Sequence, residues 1–377
     1  MIRRIGITSF ATAGGSGVIA TELGLALART GDYEIHFITH APPHRLRHFE
    51  PNVYFHEVDT ASYPPFPHAP YSLALASKMT EVARYHELDL LHVHYAIPHA
   101  ASAYLARQML GKDAIGVLTT LHGTDITLVG QDPSLFPLTR FVIEQSDQVS
   151  AVSEFLRAET ERVFKIKRPI EVIGNFVDTS VFVPRPDLRA ENPLADPGIP
   201  ILMHVSNFRP VKNIHRVVEI FAAVRARKPC RLAMVGDGPE CNPAHRLARD
   251  LGVDQDVLFL GNQDSTEELL AMSDVLLLPS ETESFGLVAL EAMSCAVPVV
   301  ASKRGGLPEV VQDGETGLLF DPHDVAGMSE AVIALLDNPD RARAMGEAGR
   351  RIARERHCIS RVIDEYVELY ERTTPSR

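Results

Sequence analysis

Apolar residues along this chain gather in short runs closed by Gly, Pro, Asn, Asp or Ser, and each run is followed by a stretch with helical spacing. That alternation predicts βαβ units and parallel sheets. In the first half the predicted strands are 2–9, 34–39, 53–58, 88–94, 116–121, 148–152 and 170–173. After the first of them Ile19, Leu23 and Leu27 recur every four positions, a stripe that packs a helix onto a sheet. Residues 183–200 break the rhythm: with five prolines and little periodicity, they predict a linker. A second alternation follows, with strands at 201–206, 231–235, 257–260, 274–278, 298–301 and 317–320. The tail beyond about Asp340 is rich in Arg and Glu, and Ile363, Tyr366, Val367 and Tyr370 are its apolar positions. The pattern predicts an α/β protein of two doubly wound, Rossmann-like domains, 1–182 and 201–355, and a final helix over 356–377 that returns to the first domain.

Length supports two cores, since 377 residues exceed what one usually holds. A hydrophobic content of 45% with 23% charged residues is ordinary for a globular enzyme. The net charge of −12 argues against nucleic acid or an anionic membrane as the main partner, so an anionic ligand needs a local basic pocket. Four cysteines, Cys230, Cys241, Cys295 and Cys358, show no metal spacing or disulfide-dense pattern, and no apolar stretch has the length of a bilayer span. A signal-peptide reading of the start is interrupted by Gly14, Gly15 and Gly17, and the expected setting is the cytoplasm. Oligomeric state stays open.

Several segments carry candidate chemistry. Glu283-Ser-Phe-Gly-Leu-Val-Ala-Leu-Glu291 places two carboxylates around a small-residue turn after the run 274–279. A helix starting near Ser284 would aim free amides at a ligand and set Glu291 about two turns further on. Gly14-Gly15-Ser16-Gly17 opens the first helix and suits a phosphate. It is not G-x-G-x-x-G, and His40 stands where a dinucleotide fold would put an acid; both points count against such a cofactor. Arg209 and Lys212, in Ser206-Asn-Phe-Arg-Pro-Val-Lys212, form a cation pair suited to a diphosphate leaving group without a metal. The loops at Gly236 and Asn262, together with Asn207, suit nucleobase and ribose contacts or simple turns. His92 and His94 share a strand face, but no ligand cluster accompanies them, so buried hydrogen-bonded rings are expected rather than a metal site. His122-Gly-Thr124-Asp125 follows another strand and reads equally as a reactive group or a capping turn.

Taken together, the glycine loop, Arg209 with Lys212, and Glu283 with Glu291 resemble the retaining glycosyltransferases of family four, whose GT-B fold sets two Rossmann-like domains across a deep cleft. The phrases His92-Val-His-Tyr-Ala-Ile-Pro-His-Ala100, Leu121-His-Gly-Thr-Asp-Ile-Thr127 and Gly174-Asn-Phe-Val-Asp178 are similar to the branch serving bacillithiol biosynthesis. That likeness implies UDP-N-acetylglucosamine as donor and L-malate as acceptor, with no cofactor and no metal. The related mycothiol enzyme, with an inositol phosphate acceptor, and a UDP-N-acetylglucosamine 2-epimerase are the alternatives. The resemblance implies that Arg209 and Lys212 hold the diphosphate, Gly15 approaches the phosphates, and Glu291 holds the ribose. It assigns the sugar to Glu283 and the Ser284, Phe285, Gly286 and Leu287 segment, with His122 near the hydroxymethyl end. Ser16, Tyr95, Thr124 and Arg140 lie in segments matching the acceptor side, and Lys78 is a weaker candidate. Arg140 also stands four residues before Glu144 and could simply pair with it. One departure is Gly17, where several phosphate-accepting relatives carry Asn.

Overall fold

A computed structural model describes residues 2–373 except 13, 47, 61–69, 112–113 and 191–192. The chain divides into two compact units, Met1–Asn175 with Ile359–Arg377, and Phe176–Cys358. In the first, strands β1 (Arg3–Thr8), β2 (Tyr33–Thr39), β3 (Val53–Glu57), β4 (Leu90–His94), β5 (Gly116–Leu121), β6 (Gln148–Ala151) and β7 (Glu171–Val172) form one parallel sheet. Its order is β3-β2-β1-β4-β5-β6-β7. In the second, β8 (Ile201–Val205), β9 (Arg231–Val235), β10 (Val257–Gly261), β11 (Val275–Leu278), β12 (Val299–Ser302) and β13 (Gly317–Phe320) run parallel in the order β10-β9-β8-β11-β12-β13.

Both sheets are doubly wound, and the connection reverses direction between β1 and β4 in one and between β8 and β11 in the other. Strands β4 and β5 are buried throughout, as expected where helices cover both faces. The predicted stripe on helix Gly15–Thr30 is in the core, with Ile19, Leu23 and Leu27 each at 1% exposure or less. In the C-terminal unit, helix Ile214–Arg225 plays the same part through Val217, Phe221 and Val224.

The units part at Asn175/Phe176, ahead of the proline-rich stretch, because the intervening residues are already core of the second unit. Phe176, Val177 and Phe182 are buried, and the Phe182 carbonyl accepts from Ser294 Oγ at 2.7 Å. The stretch 183–200 includes the short helix Pro186–Ala190. At the other crossing, Ile359–Thr373 is a helix of the first unit, with Tyr366 and Tyr370 fully buried. No described helix is long and apolar enough to cross a membrane.

Candidate active site

A doubly wound sheet opens a crevice where its connections reverse, beyond the carboxyl ends of the two central strands. In the C-terminal unit the loops there are Ser206–Lys212 after β8 and Pro279–Glu283 after β11. They carry an ion pair: Lys212 Nζ lies 2.7 Å from Glu283 Oε1, and Ser280 Oγ donates to the same oxygen at 2.8 Å. Asn213 laces the two loops, its Nδ2 donating to the Pro279 carbonyl at 2.9 Å and to Glu281 Oε1 at 2.8 Å. Below them His204 on β8 donates from Nδ1 to Leu277 O (2.8 Å), which leaves Nε2 of the neutral ring to accept from Ser206 Oγ (2.8 Å). Burial holds that ring neutral, down to about 4, with Lys212 lowering it further and Glu283 opposing. Arg209 is exposed and has no ion pair among the described residues.

Donor candidates surround this pair. Asn207 and Asn262 are exposed, and Gly236 donates its N–H to Gly261 O at 2.8 Å. A Cβ at Gly236 would lie 1.7 Å from the Ser206 carbonyl, so only glycine lets this loop support Ser206–Arg209. The helix bearing the second glutamate runs Leu287–Ser294 and not from Ser284, because Gly286 turns left-handed at φ 96° and becomes the N-cap. Glu291 is therefore about one turn into the helix, not two, and is buried at 6% exposure. No side chain caps this helix, so the first-turn amides beyond Ser284, Phe285 and Gly286 stay available to a ligand. Sequence reasoning missed a brace. Gly305, at φ 63°, packs where a Cβ would be 2.0 Å from the Glu283 carbonyl, and Gly306 N donates to that carbonyl at 2.7 Å.

The N-terminal unit repeats the design where β1 and β4 end. Gly14 is the N-cap of helix Gly15–Thr30, again without a side-chain cap. Ser16 Oγ, in its first turn, donates to Tyr95 Oη beyond β4 at 3.1 Å. A Cβ on Gly17 would lie 2.5 Å from Phe10 O and 2.6 Å from Thr12 O. The Gly17 departure is thus a packing requirement of this loop and not merely a lost polar contact. Tyr95 holds φ 87°, and Phe208 (φ 39°) and Asn213 (φ 53°) do likewise in the other unit. Positive φ in such residues costs about 1–3 kcal/mol each and collects at functional loops.

Beside Tyr95 stands a group of histidines. His94 Nδ1 and His122 Nε2 are 2.8 Å apart, and the Tyr95 and His122 rings lie 5.4 Å apart. Burial pushes His92 and His122 down to about 3 and His99 to about 4; the His122 edge keeps some exposure, and His99 is the second cause of its shift. His92 spends both nitrogens on Thr120 Oγ1 (2.7 Å) and Tyr370 Oη (2.9 Å), so the His92 and His94 pair joins no three-ligand metal cluster among the described residues. Asp125 is the capping group in the turn after β5. It accepts from Gly123 N at 2.9 Å and His122 N at 3.3 Å, and also from Ala96 N beyond β4 at 2.9 Å. Burial raises it to about 6 against those three bonds. His99 and Tyr71, absent from the sequence reading, leave His99 Nε2 and Tyr71 Oη without hydrogen bonds among the described residues. Their rings lie 6.5 Å apart, and His99 is 6.3 Å from Tyr95.

Of the other acceptor candidates, two are exposed and one is paired. Thr124 is exposed at the start of helix Thr124–Thr127, and Arg140 is exposed on helix Phe136–Gln145. Arg140 makes no ion pair with Glu144, whose Oε1 instead accepts from Lys167 N at 2.9 Å. Lys78, on helix Tyr71–Tyr85, pairs with Glu81 at 3.0 Å, and its charge helps to lower the His56 ring on β3.

Comparison with known proteins agrees with this geometry. Residues 13–181 match the family model for glycosyltransferase family 4, and residues 186–352 match that for glycosyl transferases group 1. The chain is 49% identical over 369 residues to N-acetyl-alpha-D-glucosaminyl L-malate synthase of Bacillus anthracis, covering 97% of this chain and 96% of that one. It is 34% identical over 298 residues to a GDP-mannose-dependent alpha-(1-6)-phosphatidylinositol monomannoside mannosyltransferase of Mycolicibacterium smegmatis, covering 74% and 75%. Among solved structures, sucrose-phosphate synthase from Thermosynechococcus elongatus superposes with a TM-score of 0.81 at 24% identity, over 98% of both chains. Anabaena HepE in complex with UDP and glucose gives 0.81 at 20% identity, over 98% of this chain and 100% of that one. Two matched family models in sequence order, a relative aligned along nearly its whole length and two doubly wound sheets lead to one conclusion: the chain belongs to the family-four glycosyltransferases and has their GT-B fold.

Proposed function

We propose that this glycosyltransferase moves N-acetylglucosamine from UDP-N-acetylglucosamine to the hydroxyl of L-malate, keeping the anomeric configuration and releasing UDP, in the cytoplasm and without a divalent metal. The name and near-complete alignment of the Bacillus anthracis relative support the sugar and the acceptor. The observation that carries the donor side is the Lys212–Glu283 pair at the β8/β11 crevice, 2.7 Å apart beside an uncapped helix start.

The chemistry follows from charge. The bond from the anomeric carbon to the β-phosphate oxygen breaks as the bond to the malate oxygen forms, and the malate hydroxyl proton passes to the departing diphosphate. Negative charge grows on that diphosphate, and Lys212, held in place by Glu283, together with the exposed Arg209 stabilises it more in the transition state than before. Glu283 and the amides of Phe285, Gly286 and Leu287 hold sugar hydroxyls, and the buried Glu291 accepts from the ribose diol. On the acceptor side, Ser16, Tyr95, Thr124 and Arg140 supply hydroxyls and a cation for the two malate carboxylates. The neutral His122 offers a hydrogen bond rather than a charge.

UDP release from UDP-N-acetylglucosamine, measured with and without L-malate, tests the assignment. Release is expected only with malate, with GlcNAc-malate as product. Release that follows an inositol phosphate and ignores malate would sink the acceptor. Free N-acetylmannosamine formed without any acceptor would point to the epimerase reading.

A further inference from the structure

Three histidines that the proposed reaction does not use meet at the β3 edge of the N-terminal sheet. His36 lies on β2, His56 on β3, and His86 ends the helix Tyr71–Tyr85. One ring nitrogen from each falls within 4.8 Å of the others, and this is the one three-ligand cluster among the described residues. The nearest two, His36 Nδ1 and His56 Nε2, are 2.9 Å apart, close to the edge of about 3.3 Å spanned by tetrahedral Zn–N bonds. The His86 ring centroid is 4.4 Å from that of His36 and 5.0 Å from that of His56.

The surroundings are those of a ligand set and not of three stacked rings alone. His36 is fully buried and points its other nitrogen, Nε2, at Glu34 Oε1, 2.9 Å away. A carboxylate there fixes the tautomer, leaving the Nδ1 lone pair aimed at the other two rings, and raises its basicity as a ligand. His56 and His86 are only half-buried, which leaves an approach from solvent for the ion and a water. Nothing in sequence spacing announces the trio, since residues 36, 56 and 86 converge only through strand pairing and the helix return.

We propose that His36, His56 and His86 bind one divalent first-row transition-metal ion of the zinc class, with Glu34 as orienting partner and solvent at the fourth position. Three imidazoles and no thiolate suit zinc or a neighbouring imidazole-preferring ion over magnesium or calcium, which demand oxygen. The ion would join the edge strand β3 to β2 and to the end of the overlying helix, making the site structural rather than part of sugar transfer.

Calorimetric titration of the untagged full chain with zinc chloride tests this, with cobalt(II) absorption as a second readout. Wild type is expected to take up one ion per chain and to give the intense ligand-field bands of tetrahedral cobalt(II). His86→Ala and His56→Ala should each weaken binding by at least about tenfold and lose those bands, and Glu34→Gln should weaken it by roughly 10- to 100-fold. His86 stands half-exposed at a helix end, so its variant keeps the test open even if His56→Ala folds poorly. Absence of stoichiometric uptake by wild type, or unchanged affinity in His86→Ala, overturns the proposal.

Discussion

Lys212 and Glu283 show how one contact ties the chain's chemistry to its sequence. Both side chains stand out in the sequence, one as half of a cation pair and one as half of a carboxylate pair, yet their mutual ion pair at 2.7 Å joins residues 71 positions apart. The pair is mostly shielded, with side-chain exposures of 20% and 15%, and in the proposed reaction its ammonium faces the charge that develops on the diphosphate. Replacing Lys212 by Ala should lower kcat by roughly 10²-fold or more while changing donor affinity far less, because the lost stabilisation belongs to the transition state. Steady-state kinetics with a separate UDP-binding titration checks this; unchanged kcat removes Lys212 from the mechanism. Gly305 was illegible for the opposite reason. A glycine in a sequence does not say whose carbonyl it approaches, and only the packed loop shows Glu283 there.

At the element scale, apolar periodicity located every strand among the described residues, and in central strands such as β4 and β5 burial on both faces leaves continuous apolar runs. Helix starts were less legible: Gly286 reads as helix-compatible until its left-handed φ defers the first turn to Leu287. The ends of β4 and β5 carry a testable acid sensitivity. His92, His94 and His99 are buried and depressed below their ordinary 6.5, so the unfolded chain binds protons that the native unit refuses as pH falls. Their contribution is present above pH 6.5 and is lost progressively below it, down to about 4 for His99 and about 3 for His92. Asp125, raised from 3.8 to about 6, acts the other way, since the native state takes its proton first and gains stability on acidification. His122 is depressed as well, so four rings against one carboxyl leave the native state losing stability as pH falls below about 6. Urea melts at pH 7.0 and 5.5 should show it, and equal midpoints would refute the assignment.

At the scale of the molecule, Ile359–Thr373 returns to the N-terminal unit and completes its core. Val362, Tyr366, Leu369 and Tyr370 are each at 2% exposure or less, and Tyr370 Oη serves a buried His92 nitrogen. A chain ending at Cys358 should therefore lose the N-terminal unit while Phe176–Cys358 stays folded; limited proteolysis would show rapid cleavage within residues 1–175 alone, and equal resistance of both units would contradict this. The sequence by itself determined the two α/β units and their strands, and it named the candidates for a nucleotide-sugar site, because periodicity and residue chemistry are local properties. Only the tertiary structure decided where the units part, which carbonyls the glycines approach, that Lys212 meets Glu283, and that three distant histidines converge, because each depends on strand order and on chain segments far apart in sequence.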